Sequence, residues 1–257
     1  MAYSRTLVFR SPLLSWQQVR LDAPHPAWSD EFRVDAPCLL MPLTRCFECR
    51  IDANRFVCDP ASALWLSSSQ PYRLRRPWSD QRSALLVVAN DVGASRRCSV
   101  PLGAHVAMSR WWRQLETNCV ESVQIEEALV EMVASLLPDA EVRTARPHRA
   151  VERAREYIAA EPQRDDSLTD IAKAANCSAF HLARQFRQLT GQSLHGFRTR
   201  LRMTLALDRL RQGERDLNTL AAELGYVSHS HFSGVFRRTF GITPSQMRTN
   251  LAAPSLA

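Results

Sequence analysis

Three groups of residues in this sequence could do chemistry. Near its C-terminus, LGYVSHSHFSGVFRRTFGITPSQMR (224–248) carries His229 and His231, one residue apart. In the first half, Cys38, Cys46, Cys49 and Cys58 fall within 21 residues, and Cys46 and Cys49 have C-x-x-C spacing. Between residues 176 and 250 stand 11 arginines, against only Asp208, Glu214, Asp216 and Glu223. Histidines can hold a metal, thiols can form a redox or metal site, and clustered arginines can neutralise phosphate.

The spacing decides the first case. On a helix, residues two apart point ~200° around the axis, so His229 and His231 cannot grip one ion. A strand would allow it, but the apolar period Phe232, Val235/Phe236, Phe240 behind Ser228 is helical. The thiol case stays open. Arg45 and Arg50 could lower a thiol pKa, yet on a regular strand Cys46 and Cys49 would face opposite sides. Seven cysteines, an odd number without a secretory signal, argue against a disulfide framework; most read as small buried hydrophobes.

The charge is uneven. Residues 1–148 hold 17 Arg and 16 Asp+Glu, whereas residues 149–257 hold 16 Lys+Arg and 10 Asp+Glu. A neutral half beside a basic half points to a polyanion partner for one domain, although a solvated arginine surface fits the composition equally. With 257 residues the chain has room for two domains. No apolar run approaches the ~20 residues of a membrane span, and the first residues lack a signal-peptide core, so a cytoplasmic protein without membrane contact is expected.

The elements that must position these residues fall into two sets. From residue 11 to 100 the chain reads as short strands between turn residues: CLLMPL (38–43), CFECRI (46–51), ALWLSS (63–68), YRLRR (72–76) and SALLVV (83–88). That pattern predicts an antiparallel sandwich or barrel. Helices are expected over 105–118 and 122–137, the second with an apolar stripe wide enough to meet either the β-domain or a partner subunit. PDAEVRTARPHR (138–149) reads as a linker, and everything after it as helix.

The helical half repeats itself. SLTDIAKAANCSAFHLARQFRQLTG (167–191) overlays DLNTLAAELGYVSHSHFSGVFRRTFG (216–241) at a period of about 50 residues, with one extra residue in the second turn. Each copy has a short apolar-striped helix, a tight turn, a serine N-cap, a second helix and a closing glycine. The second stripes are Leu182, Gln185/Phe186, Leu189 and Phe232, Val235/Phe236, Phe240. This is the layout of a helix-turn-helix, whose second helix can enter a major groove. Residues 193–213 between the copies read as one longer helix.

Residues 149–248 resemble the DNA-binding domain of AraC/XylS-type transcription regulators. The resemblance is carried by Ala221, Gly225-Tyr226, Ser228 through Phe232, Phe236, Phe240-Gly241 and Pro244. It covers about two-fifths of the chain. It implies an α+β protein: an N-terminal small antiparallel β-barrel (cupin-like) with two helices, and a C-terminal all-α domain of two helix-turn-helix units joined by a long helix. The expected domains are 1–140 for effector sensing and dimerisation, 141–149 as linker and 150–250 for DNA binding. The expected function is sequence-specific regulation of transcription, as an activator rather than an enzyme, with double-stranded DNA as partner and no cofactor or metal. By analogy with the family, RNA polymerase is a further partner, the 105–137 helices form a homodimer, and a small organic effector binds the N-terminal domain. A thiol- or metal-responsive regulator using the cysteines, and an effector-independent DNA binder, remain as alternatives. The histidine pair of metal-binding cupins is absent, since only His25 and His105 precede the linker.

At ~100° per residue, the positions opposite the first stripe are Phe180, Arg184 and Arg187, with Ala183 beside them. An exposed phenylalanine suits a thymine methyl, and arginine suits bidentate bonding to guanine. The resemblance implies the same roles for Phe180, Ala183 and Arg184; Ala183 replaces the polar residue of some relatives. Ser178, His181 and Gln188 complete the first contact set. In the second unit the outward positions are Ser230, Gly234 and Arg237, flanked by Ser228, His229, His231, Ser233 and Arg238. Several family members carry a base-reading side chain where Gly234 stands. A helical glycine costs ~1 kcal/mol relative to alanine and cannot read a base, though it permits close approach of another backbone. The first unit is therefore expected to supply specificity and the second to grip phosphate.

Overall fold

The computed structural model describes residues 3–89, 93–116, 122–137 and 148–252. Among the described residues nine strands come first: β1 (Tyr3–Arg10), β2 (Leu14–Leu21), β3 (Cys38–Pro42), β4 (Phe47–Ile51), β5 (Asn54–Cys58), β6 (Ser62–Leu66), β7 (Tyr72–Arg75), β8 (Gln81–Val88) and β9 (Arg96–Ser99). They form an antiparallel six-stranded sheet in the order β1-β2-β8-β3-β6-β9 and a three-stranded sheet in the order β5-β4-β7. Alternation along the strands builds two cores, because successive side chains leave opposite faces. Leu40, Leu64 and Leu85 of the large sheet meet Phe47, Cys49, Phe56 and Leu74 of the small one. Trp16, Leu39, Met41, Trp65 and Leu86 leave the other face and pack against two helices, α1 (Leu102–Glu116) and α2 (Ser122–Leu136). The five strands expected from the sequence are all present, within a residue or two of their expected ends.

The linker expected at 138–149 lies, up to residue 147, outside the described residues. Among the described residues seven helices follow it: α3 (Arg149–Ala160), α4 (Leu168–Ala175), α5 (Ala179–Thr190), α6 (Leu194–Arg211), α7 (Leu217–Glu223), α8 (His229–Phe240) and α9 (Pro244–Ala252). No helix among the described residues is long and apolar enough to cross a membrane.

The two halves share apolar cores. Cys46, Val57 and Ala61 of the β-region are buried together with Val151, Ala154 and Ile158 of α3 and Phe186 of α5. Leu102 and Val106 of α1 pack on the core around Met203, Leu207, Phe232 and Phe236. Buried ion pairs run along the same seam. Arg155 donates from Nε and Nη2 to Asp59 (3.0 and 2.6 Å), and Arg97 donates to Glu152 (2.6 Å), which also accepts from the Val57 amide (2.7 Å). Arg82 reaches Asp208 of α6 at 2.7 Å. Both members of the Arg155–Asp59 pair are buried.

Candidate nucleic-acid interface

The two recognition helices are built by the same local grammar. Ser178 and Ser228 cap α5 and α8, each hydroxyl accepting from the amide three residues on, His181 (3.3 Å) and His231 (3.1 Å). A cap satisfies one of the amides that a helix start leaves bare. Gly191 and Gly241 close the same helices in the left-handed conformation, with φ of 72° and 78°. The turn before each cap also needs a left-handed residue: Asn176 supplies it in the first unit and Gly225 in the second.

Burial then sorts the faces. Leu182, Phe186, Phe232 and Phe236 are buried completely and fix which way each helix is turned. Leu189, expected in the first stripe, is 41% exposed instead, so that stripe ends one turn early. On the opposite side of α5, Phe180 is 80% exposed, with Arg184, Arg187 and Gln188 exposed and Ala183 half-buried beside it. On α8, His229, Ser230, His231, Arg237 and Arg238 are exposed, and Ser233 and Gly234 are half-buried. A phenylalanine in water forgoes the stabilisation of burial, ~1.5–3 kcal/mol, so Phe180 contributes little to the core.

The histidines take local roles on separate sides. His231 sets its ring edge-on to Tyr226 (5.3 Å, 86°), supporting the turn, and His229 lies 3.2 Å from the Ser233 hydroxyl. The His181 ring lies tilted against that of His148, with centroids 5.8 Å apart. No group of three or more potential metal ligands occurs among the described residues.

At Gly234 the surface of α8 is open. A Cβ there would meet only Arg238 Nη1, at 3.6 Å, an ordinary contact. No other backbone approaches it, so the glycine leaves a gap on the helix surface. Sequence reasoning missed Val227, which is 95% exposed just before the Ser228 cap. An apolar residue at that position commonly staples to the fourth helical residue, here Phe232. Phe232 is fully occupied in the core, which leaves Val227 standing beside the exposed face of α8.

Cys46 and Cys49 are not brought together. Cys46 is buried in the core shared with α3, whereas Cys49 is buried between the two sheets. Burial pushes both up to about 12, and the arginines expected to lower them, Arg45 and Arg50, do not offset it. Both are protonated thiols at neutral pH, a poor state for a nucleophile or metal ligand.

The seam near the site contains a cleft between Trp16, Met108 and Trp112 on one side and Thr204, Leu207, Asp208 and Arg211 of α6 on the other. His105 lies there, fully buried, with Nε2 2.7 Å from the Pro60 carbonyl. A carbonyl only accepts, so Nε2 carries the proton. Burial, with Arg200 adding to it, lowers this histidine to about 4.

Residues 171–250 match a helix-turn-helix domain family. The regulatory protein SoxS of Escherichia coli (strain K12) is 43% identical over 81 residues, 32% of this chain and 76% of that protein. A putative AraC-like transcription regulator of Streptomyces lividans is 34% identical over 94 residues, 37% of this chain and 31% of that protein. Among solved structures, the C-terminal domain of AraT, a response regulator from Geobacillus stearothermophilus, is 30% identical over 44% of this chain and 92% of that one, with a TM-score of 0.39. The duplicated capped units and the identity to SoxS place the chain in the AraC/XylS-type family of DNA-binding transcription regulators, which are not enzymes.

Proposed function

We propose that α5 reads the operator and α8 mainly grips its backbone. The observation that carries this is Phe180, 80% exposed next to exposed Arg184 on a helix whose other face is locked by Leu182 and Phe186. Phe180 meets a thymine methyl, Arg184 a guanine edge, and Ala183 offers apolar contact alone. Arg187, Gln188, Arg237 and Arg238 reach phosphates, helped by the capped helix starts at Ser178 and Ser228. Ser230, Ser233, His229 and His231 add polar contact in the second groove.

In this reading residues 1–140 form a cupin-like sensing domain, 141–149 a linker and 150–250 the DNA-binding domain. The protein acts as an activator in the cytoplasm, contacts RNA polymerase and responds to a small organic molecule. The space between the sheets is filled by Phe47, Cys49, Phe56, Leu64 and their neighbours, which favours the seam cleft beside Trp16 over the barrel interior as the place where an effector acts. Of the two helices expected to dimerise, α1 is already engaged by α6 and α9, with Arg113 donating to the Leu251 carbonyl at 2.7 Å. The homodimer contact therefore falls to α2, which exposes Val123 and Val130.

Selection from random-sequence duplexes at stated salt, followed by footprinting, tests the assignment. Arg184→Ala is expected to cost about 1–3 kcal/mol and relax preference at one base pair, whereas Arg237→Ala weakens all sequences alike and lowers the salt slope by about 1. Equal losses on all sequences for Arg184→Ala would remove α5 as the reader. A second expectation concerns the gap on α8. Gly234→Arg has room, gains up to ~1 kcal/mol of helix stability, and is expected to add a base preference in the second half-site. An unchanged selected motif would contradict it.

A further inference from the structure

Besides sharing α6, the two helix-turn-helix units touch each other at the middle of that helix. Arg202, on α6, is buried there. Its guanidinium donates from Nε to the Pro162 carbonyl (2.7 Å) and from Nη2 to those of Gln163 (3.0 Å) and Arg164 (3.2 Å). Nη1 donates to the Gly225 carbonyl at 3.3 Å, and the group lies over the Tyr226 ring at 5.3 Å. Residues 162–164 join α3 to α4 and lead into the first unit, and Gly225 and Tyr226 form the turn between α7 and α8 in the second. One cation thus ties the entry of the first unit to the turn of the second.

The second half of the contact is backbone on backbone. A Cβ on Gly225 would sit 2.0 Å from the Gln163 carbonyl oxygen, closer than any side chain can be. Gly225 also has a φ of +75°, so the position excludes other residues twice, once for its conformation and once for its neighbour. The arginine fork is equally particular. Lysine offers one compact ammonium and cannot span four carbonyls in a plane.

Two recognition helices on one face of DNA must lie about one helical turn, ~34 Å, apart in successive grooves. The 18 residues of α6, at ~1.5 Å each, fix a separation of about 27 Å between its ends. A helix by itself does not fix how far each unit is rotated about it. We propose that Arg202 and Gly225 form the joint that sets the angle between α5 and α8, and so the half-site separation this protein accepts. They are positioning residues, since the arginine is buried behind both DNA-facing surfaces. This rests on the two-unit reading of DNA given above.

The test uses the full chain and duplexes selected from a random-sequence pool. The wild-type protein is expected to select one sequence block, read by α5, and hydroxyl-radical cleavage is expected to show a second protected stretch of backbone, gripped by α8, at one fixed distance from it. Arg202→Met and Arg202→Lys are expected to select the same block but to protect the second stretch diffusely, at scattered distances, binding the wild-type site about tenfold less tightly. Thermal melting of each variant accompanies the selection, and the lysine variant, which keeps charge and stem, decides the matter if the methionine variant does not fold. A second stretch protected at the wild-type distance in a cooperatively folded variant overturns the joint. So does a wild-type protein whose second stretch is absent or spread over several distances, a measurement that needs no variant. Selection of no motif defeats the sequence-specific reading itself.

Discussion

Asp59→Ala is expected to lower the unfolding free energy by about 3–5 kcal/mol, the usual cost of stranding a buried charge. Arg155 would lose both of its hydrogen bonds to that carboxylate, at 3.0 and 2.6 Å, in a place water does not reach. The Ala61 amide, 2.8 Å from the other carboxylate oxygen, would lose its acceptor as well. For a chain of this length the melting temperature should fall by roughly 10 °C. By contrast, Glu161→Ala, which breaks an ion pair with half-exposed Arg164, should change stability by less than about 1 kcal/mol. Removing both buried charges, as Asp59→Ala with Arg155→Met, is expected to recover most of the loss, because the penalty comes from the unpaired charge. Calorimetry of the three variants checks this; a melting point for Asp59→Ala within a degree or two of wild type would mean that the seam carries little of the fold.

Acid is expected to weaken the same seam through His105. Burial holds this imidazole neutral in the folded protein down to about 4, against about 6.5 when unfolded. Above pH ~6.5 both states are neutral and the group has no effect. As pH falls from 6.5 toward 4 the unfolded chain binds the proton first, so stability is lost across that window. The loss approaches roughly 3 kcal/mol at its lower end. The comparison is with His105→Gln, whose amide can still donate to the Pro60 carbonyl. Denaturant unfolding from pH 7 to 4 should show the wild type losing about 3 kcal/mol more than the variant. Parallel curves would clear His105 of the effect.

The helical half was legible because its determinants are local. Ser178 and Ser228 announce helix starts, Gly191 and Gly241 helix ends, and Leu182, Phe186, Phe232 and Phe236 recur at helical spacing. The β-half was legible where strands carry a run of apolar residues, as in CLLMPL and SALLVV, or alternate between turn residues, as in YRLRR. The eight-residue strands β1 and β2, where polar residues alternate with buried ones such as Trp16 and Val19, gave no such signal. The charge tally pointed to a DNA-binding half but overstated its surface. Arg198 and Arg202 are buried and hold carbonyls or carboxylates, so only part of that arginine count can meet phosphate. Nothing local could reveal the seam, since Asp59 and Arg155 are 96 positions apart. The C-x-x-C spacing left two outcomes open, and the structure takes the one that strand alternation gives, with Cys46 and Cys49 in different cores.

The shared cores also bear on modularity. Transplanting residues from 150 onward to another protein would carry α3 away from Cys46, Val57 and Ala61, and strip α6 and α9 of Leu102, Val106 and Arg113. The excised piece would show water the apolar and charged wall that now faces the β-domain. In this chain the duplicated units are not a detachable cassette. A chimera would need the donor's α1 and its β5–β6 edge, or a redesigned polar skin in their place.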